Sequence, residues 1–532
     1  MYIGIDFGTT YSTLTIYHGE ELVPPLFEDR GVPTRMRYDS FAREWLYGEN
    51  NETLLRYPQD TIRNLKSKIR NGGDIMATAT SAGYKLHYKD LLQNYLTWLI
   101  KEGINRAREH GYIDEDELPQ GITVTVPCGF AGRGMGRSGY GQAIKEGVIS
   151  AYGEVIRSGI AAAAGTDCTV RIVEEPVAAA VDYLMSRQGD RALAENSKMT
   201  ILVADLGGGT FDVTAMKCDG RNKFTVIAKE GDLHLGGNNF DEELLNLIVN
   251  KLNEQNSEYS LSESDRQLEL LRVTAIKERL SKTDKQGFVS QNSTVPPVIV
   301  TRQEFENATS GLLKRIQAVI TKCVDKSGGI DRIDKIVLVG GACRMPQIKN
   351  GIKSLYQGFH EKDIIIYNPS YAIANGAAHC AAMRGGVTVT DLGDIATCTY
   401  GFRSGPEGDQ KICNMIFSGE QFEAGGRIER WEHNFNALES DQKTVCYKVF
   451  ESLCEKGKYR VPYEGNEAQF NPNGLSVSVP VPEKYLTDPV TYPNGARDYK
   501  MDPKLILTSD NTLRIEIYHD GVLVGSNQVT LK

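Results

Sequence analysis

Two stretches far apart in this chain repeat one pattern. Ile3-Gly4-Ile5-Asp6-Phe7-Gly8-Thr9-Thr10 resembles Val203-Ala204-Asp205-Leu206-Gly207-Gly208-Gly209-Thr210. Each reads as an apolar strand, an aspartate, an apolar residue, a glycine turn with threonine, and a second strand. The second strands are Leu14-Thr15-Ile16 and Val213-Thr214-Ala215. A hairpin with an acid at its turn, present twice, implies a duplicated architecture with a site between its halves. That constrains the fold more than any bulk property of the chain.

Such turns suit a triphosphate. Glycines let backbone N–H groups come close to an anion, and threonine hydroxyls add donors. Asp6 and Asp205 supply one carboxylate from each hairpin. This is a sensible provision for Mg²⁺, which keeps most of its waters and takes few protein ligands. One D-x-G turn alone is most often a tight turn with a structural aspartate; two copies, each followed by threonine, favour the phosphate reading. A third loop, Gly340-Gly341-Ala342-Cys343-Arg344-Met345-Pro346, follows the apolar run Ile336–Val339 and precedes a predicted helix. It suits an anion or a ribose at a helix start, and equally a strand-to-helix turn that binds nothing.

The 532 residues exceed one ordinary domain, so at least two are expected. To about Met383 the sequence alternates strand-like runs with helical segments such as Asp241–Leu252, the pattern of an α/β domain. From Ile395 onward, short alternating runs separated by Gly, Pro, Asn and Asp predict an all-β unit. Within it, Leu513–Tyr518 and Val522–Val524 flank an Asp520-Gly521 hairpin signal. The boundaries are 1–385, a linker at 386–394, and 395–532. The net charge of −9 argues against non-specific nucleic-acid binding. No apolar run reaches membrane-spanning length; the stretch Ala178–Leu184 is short and contains Asp182. The chain opens directly on a strand, leaving no room for a signal peptide. Ten cysteines without a C-x-x-C pair read as reduced, mostly buried thiols, as expected in a cytoplasm, and no membrane partner is expected in the absence of a long apolar run.

Taken in order, these segments resemble the actin-like ATPase superfamily, and most closely the seventy-kilodalton heat-shock chaperones of DnaK type. Ile5–Ser12 looks like that family's first phosphate motif and Asp205–Val213 like its second. Thr125-Val126-Pro127 is similar to its next strand end, and Gly231–Gly237 to the stretch after the second phosphate motif. Glu174–Ala180 resembles its first connecting helix, and Asn368-Pro369 with Gly376-Ala377-Ala378 its second. Val339–Pro346 is similar to its adenosine motif. The match spans roughly residues 1–384 and is weaker over the β domain.

The resemblance implies a two-lobed ATPase domain followed by a sandwich-like β domain. It implies Mg-ATP and ADP as ligands, extended polypeptide as client, and J-domain and nucleotide-exchange proteins as partners. Thr9, Thr10 and Tyr11 would line the β- and γ-phosphates, with Gly207, Gly208, Gly209, Gly236 and Gly237 around them. Asp6 and Asp205 would organise Mg²⁺ and its waters. Thr210 would sit near the γ-phosphate, with Asp212 and Glu175 around the attacking water. Lys66 falls where the family carries its catalytic lysine, a cation that would stabilise charge on the transferring phosphoryl group. Lys277, Ser281, Gly340, Gly341 and Arg344 would hold the nucleoside.

The sequence departs from the family pattern in several places. Thr274 replaces an acid, Glu278 replaces an arginine expected to flank the adenine, Ala342 replaces a serine, and Ser370 replaces an acid. The base therefore lacks an expected planar cation. The segment from Pro127 to Glu175 is longer than usual and includes glycine-rich Gly129–Gly141, a loop or a contact surface. The linker Val387-Thr388-Val389-Thr390-Asp391-Leu392-Gly393-Asp394 is less apolar than the family's, so weaker coupling between domains is expected. The chain ends on β-type sequence, so the family's helical lid is expected to be absent. Two other readings stand beside the chaperone: a nucleotide-gated interaction or filament-forming protein, and a small-molecule kinase. The kinase would need an aspartate base and a hydroxyl pocket, neither of which the sequence offers.

Overall fold

The computed structural model describes residues 1–28, 30–70, 77–127, 144, 147–151, 168–186, 198–219, 223–255, 261–290, 296–356, 358–360, 363–384, 391–393, 396, 399–404, 410–417, 420, 422, 427–432, 443–452, 459–463, 469–470, 474–481, 490–491, 497–498, 501–508 and 512–530. The glycine-rich 129–141 segment, most of the 386–394 linker, and Cys128, Cys398 and Cys454 lie outside them. The chain separates into two compact units, one formed by residues up to Arg384 and the other chiefly by those from Asp391.

The first unit contains two sheets built to one plan. In the first, the strand order is Thr169–Glu174, Gly121–Val126, Tyr2–Asp6, Tyr11–His18, Glu21–Leu22. Tyr2–Asp6 pairs antiparallel with Tyr11–His18 and parallel with Gly121–Val126, which pairs parallel with Thr169–Glu174. In the second, the order is Ile364–Ile366, Lys335–Val339, Lys198–Leu206, Phe211–Asp219, Lys223–Asp232. The Lys198–Leu206 strand again joins an antiparallel hairpin to a parallel neighbour. The repeated turns of the sequence thus occupy equivalent positions in two lobes. Both central hairpins are buried along nearly their whole length, threonines and aspartates included, because both faces of each sheet are covered.

Each outer parallel strand feeds a helix that leaves its own lobe. Glu175–Met185 follows Thr169–Glu174 and packs on the second-lobe hairpin; Ala372–Arg384 follows Ile364–Ile366 and packs on Tyr2–Asp6 and Gly121–Val126. The two helices cross in close contact because their small residues allow it. A β-carbon on Gly376 would stand 1.7 Å from Ala178 O, and one on Gly4 2.1 Å from Ala374 O. Only glycine fits at these approaches. Pro176 near the start of the first helix pre-sets its backbone, and Glu175 places an acid in its first turn.

The core of the second unit lies between two sheets. One has Thr399–Ser404 between Lys411–Ile416 and Thr444–Ser452, and the other runs Arg427–Trp431, Met501–Thr508, Thr512–His519, Val522–Thr530. Phe402, Tyr447 and Val477 from the first face Ile428, Leu505 and Ile515 from the second, all buried, which is the arrangement of a β-sandwich. The Asp520-Gly521 turn forms as expected, with φ of 47° and 78° at its two central residues.

Candidate functional site

The site lies between the two lobes of the first unit, in a cavity of about 740 Å³. The first hairpin turn is tight: a β-carbon on Gly8 would stand 2.0 Å from Tyr11 O. The second closes through Gly207 N–H to Thr210 O at 3.0 Å. The two turns face one another, since a β-carbon on Gly208 would come within 2.6 Å of Thr10 Oγ1. Behind the second turn, Gly237 N–H donates to Gly207 O at 2.9 Å and Asn238 N–H to Gly208 O at 2.8 Å. Gly236 lacks a side chain because a β-carbon there would meet Gly209 N at 2.5 Å. Thr9, Thr10, Tyr11, Gly207, Gly208 and Gly237 line the cavity, whereas Gly209 and Gly236 do not.

The floor is acidic. Asp6 and Asp205 end the central strands of their lobes, and Glu175 opens the first crossing helix. Lys66 donates to Glu175 in a buried ion pair. It reaches the site because the Thr61–Arg63 strand turns at Asn64, φ 58°, into the Leu65–Arg70 helix, whose first turn carries it. Asparagine tolerates that left-handed conformation. Burial, then the charge of Glu175, raises the Asp6 carboxyl to about 7, with Lys66 and the Thr125 hydroxyl acting against it. Burial also holds Asp205 and Asp212 well above the usual carboxylate range, with Glu175 adding to the effect. Asp6, Glu175, Asp205 and Asp212 thus all lie close enough to Lys66 to feel its charge. Asp205 Oδ1 is buried without a hydrogen-bond partner, as are both Asp212 oxygens. Among the described residues no three metal-capable side chains converge on one point; Asp6 and Asp205 offer the cavity two carboxylates, enough for a cation such as Mg²⁺ that keeps most of its waters. Asp212 pairs across the hairpin with Asp205, and Thr210 lines the cavity; Asp212 itself does not.

The opposite wall belongs to the Glu263–Leu280 helix, where Thr274, Lys277, Glu278 and the C-cap Ser281 share one face. Lys277 Nζ donates to Gly237 O at 2.9 Å and lies 2.9 Å from Asp241 Oδ1, fastening this helix to the second turn. In the third loop a four-residue 3₁₀ turn, Gly341–Arg344, follows Gly340, and the expected helix runs from Pro346 to Leu355. Gly340, φ 81°, comes close to Asp205, where a β-carbon would stand 2.5 Å from Oδ1. Arg344 Nη2 donates to Ser370 Oγ at 3.2 Å.

The sequence did not mark every residue here. Arg30, Arg35, Arg63, Asn238 and Asp241 also line the cavity. Arg63 sits three residues before Lys66, and that spacing was its only signal. Arg30 and Arg35 flank Gly31-Val32-Pro33-Thr34, which carries no recognisable phosphate pattern, and fold into the site from outside the hairpins.

Two equivalent lobes, crossed helices and facing acidic turns define the two-lobed actin-like ATPase architecture. Residues 141–413 match the family model described as Hsp70 protein, and the chain belongs to the Hsp70 family. It is 28% identical over 436 residues to "Chaperone protein DnaK" of Psychrobacter cryohalolentis, covering 76% of this chain and 62% of that one. It is 29% identical over 398 residues to "Chaperone protein DnaK" of Thermosipho melanesiensis, covering 72% and 59%. Over 409 residues it is 29% identical to "Heat shock cognate 70 kDa protein 3" of Dictyostelium discoideum, covering 72% and 60%. The chain therefore spans about three fifths of the length of these relatives.

Proposed function

We propose that this chain binds ATP and ADP with Mg²⁺ between its lobes, hydrolyses ATP slowly, and uses that cycle to alter the affinity of its β unit for extended polypeptide. Residues 1–385 would form the nucleotide domain, 386–394 the linker and 395–532 the client domain, with J-domain and nucleotide-exchange proteins as partners. The observation that carries this reading is the meeting of the two hairpin turns over the buried acids, with Asp205 Oδ1 unpartnered. When bound, Mg²⁺ would neutralise phosphate charge, and Asp6 and Asp205 would hold it and its waters. Backbone N–H groups of the two turns and the Thr9, Thr10 and Thr210 hydroxyls orient the phosphates. Glu175 accepts a hydrogen bond from Lys66, which keeps that ammonium aimed at the developing charge. A β sandwich suits the client role because an extended peptide can pair with a sheet edge while its side chains enter pockets. No helix among the described residues is long and apolar enough to cross a membrane.

The test is ATP turnover by the full chain with Mg²⁺, with chelator, and in Asp205→Asn. Turnover should require the cation and drop sharply in the variant. Turnover that is indifferent to the chelator would refute the reading.

A further inference from the structure

Arg30 and Glu278 lie 248 residues apart in sequence and on opposite lobes, yet Arg30 Nη1 donates to Glu278 Oε1 at 2.7 Å on the rim of the cavity. Neither residue has a place in the phosphate chemistry above. Arg30 leans out from a fixed loop. Gly31, φ 77°, donates its N–H to Glu28 O at 2.8 Å, and a β-carbon on it would meet Ser12 O at 2.4 Å. The buried Tyr371 hydroxyl contacts Phe27 O at 2.8 Å and Glu28 O at 3.1 Å. Thr34 N–H donates to Thr10 O at 2.8 Å, tying the same loop to the first phosphate turn. Glu278 is equally fixed, one residue after the Lys277 that fastens its helix to Gly237 and Asp241.

We propose that Arg30 is a nucleotide-retaining residue, positioned across the mouth of the cleft by Glu278, so that a bound nucleotide leaves only when this pair parts. The proposal rests on the nucleotide reading above. It also gives Glu278 a purpose where the family resemblance led to an arginine. An arginine at 278 would face Arg30, so Glu278→Arg would repel it and loosen the mouth.

The two side chains are 48% and 40% exposed, so the pair is partly screened by solvent. Exposed pairs of this kind are worth about 0.2–1 kcal/mol, which corresponds to about a 1.4- to 5-fold change in rate. The experiment is stopped-flow release of a fluorescent N-methylanthraniloyl ADP from the full chain at low and high salt. Arg30→Ala and Glu278→Ala should each speed release by that factor. The double variant should be no faster than the faster single, and Arg30→Glu combined with Glu278→Arg should restore slow release. The gap between wild type and variants should shrink at high salt. Thermal melts equal to wild type would exclude misfolding of these exposed-site variants. Unchanged release in both single variants, or additive effects in the double, would overturn the latch while leaving nucleotide binding intact. A wild-type chain that binds no nucleotide would remove the nucleotide reading itself, and the latch with it.

Discussion

Lys66 shows how far a single residue's setting can depart from what its neighbours in sequence suggest. In Thr61-Ile62-Arg63-Asn64-Leu65-Lys66 nothing local requires burial, and only the family resemblance gives this lysine a role. The structure buries it against Glu175, with Asp6, Asp205 and Asp212 close enough to feel its charge. The other acids gather because two strands and one helix end at the same point, a tertiary fact that the hairpin repeat foretold for Asp6 and Asp205. Lys66→Ala is expected to lower single-turnover ATP hydrolysis by about 10²–10³, the loss of one positioned charge-stabilising donor. ATP affinity should change much less, as measured by titration calorimetry. Removing one partner of a buried pair also costs about 3–5 kcal/mol, so the melt must be followed alongside. A folded variant that hydrolyses ATP at the wild-type rate would show that Lys66 only balances charge.

At the scale of elements, the crossing of Glu175–Met185 with Ala372–Arg384 joins the lobes, and it carries titratable groups among its small apolar residues. Asp182 Oδ1 lies 3.9 Å from His379 Nε2. At that distance burial outweighs attraction: it lifts Asp182 to about 7 and lowers His379 to about 4. Burial disfavours the charged form of each, with hydrogen bonds from Tyr367, Asn368 and Asn375 acting against it at Asp182. Their linkages run in opposite directions. Asp182 keeps its proton in the folded chain, so its contribution is full below 3.8 and is lost as pH rises through about 7. His379 resists protonation, so its contribution is full above 6.5 and is lost as pH falls through about 4. In the window from about 4 to 6.5 the two slopes oppose each other. Relative to wild type, Asp182→Asn should therefore gain stability as pH rises, by at most about 1.4 kcal/mol per pH unit. His379→Leu should lose stability over the same interval. Urea unfolding at several pH values would check this, and difference curves flat with pH would refute it. The sequence showed Asp182 only as an interruption of an apolar run; its partner, nearly 200 residues later, becomes visible only where the helices cross.

For the whole molecule, the duplicated plan of the first unit was legible in two turns because phosphate-type loops need glycine at fixed offsets. The β class of the second unit was legible because hairpins need residues such as Asp520-Gly521. What the sequence hid were contacts between lobes, such as Arg30 with Glu278, since side chains brought together by folding leave no periodic trace. On the proposed function, the nucleotide unit would act on the β unit through the linker at 386–394. Val387-Thr388-Val389-Thr390-Asp391-Leu392-Gly393-Asp394 alternates apolar side chains with threonine and contains a glycine. Such a segment has little apolar surface to dock, and glycine adds conformational freedom that docking would have to remove. ATP can shift client affinity only by the difference in free energy between its two linkage states. A weakly docking linker keeps that difference below about 1.4 kcal/mol, which is about tenfold. Release of a labelled apolar peptide, followed by stopped flow with ADP and then with ATP, should therefore accelerate by less than about tenfold. Thr388→Leu with Thr390→Leu should enlarge the ratio by giving the linker more surface to bury. A wild-type acceleration of a hundredfold or more would show that the units communicate through contacts other than this linker. A double-leucine variant with an unchanged ratio would show the same thing from the opposite side.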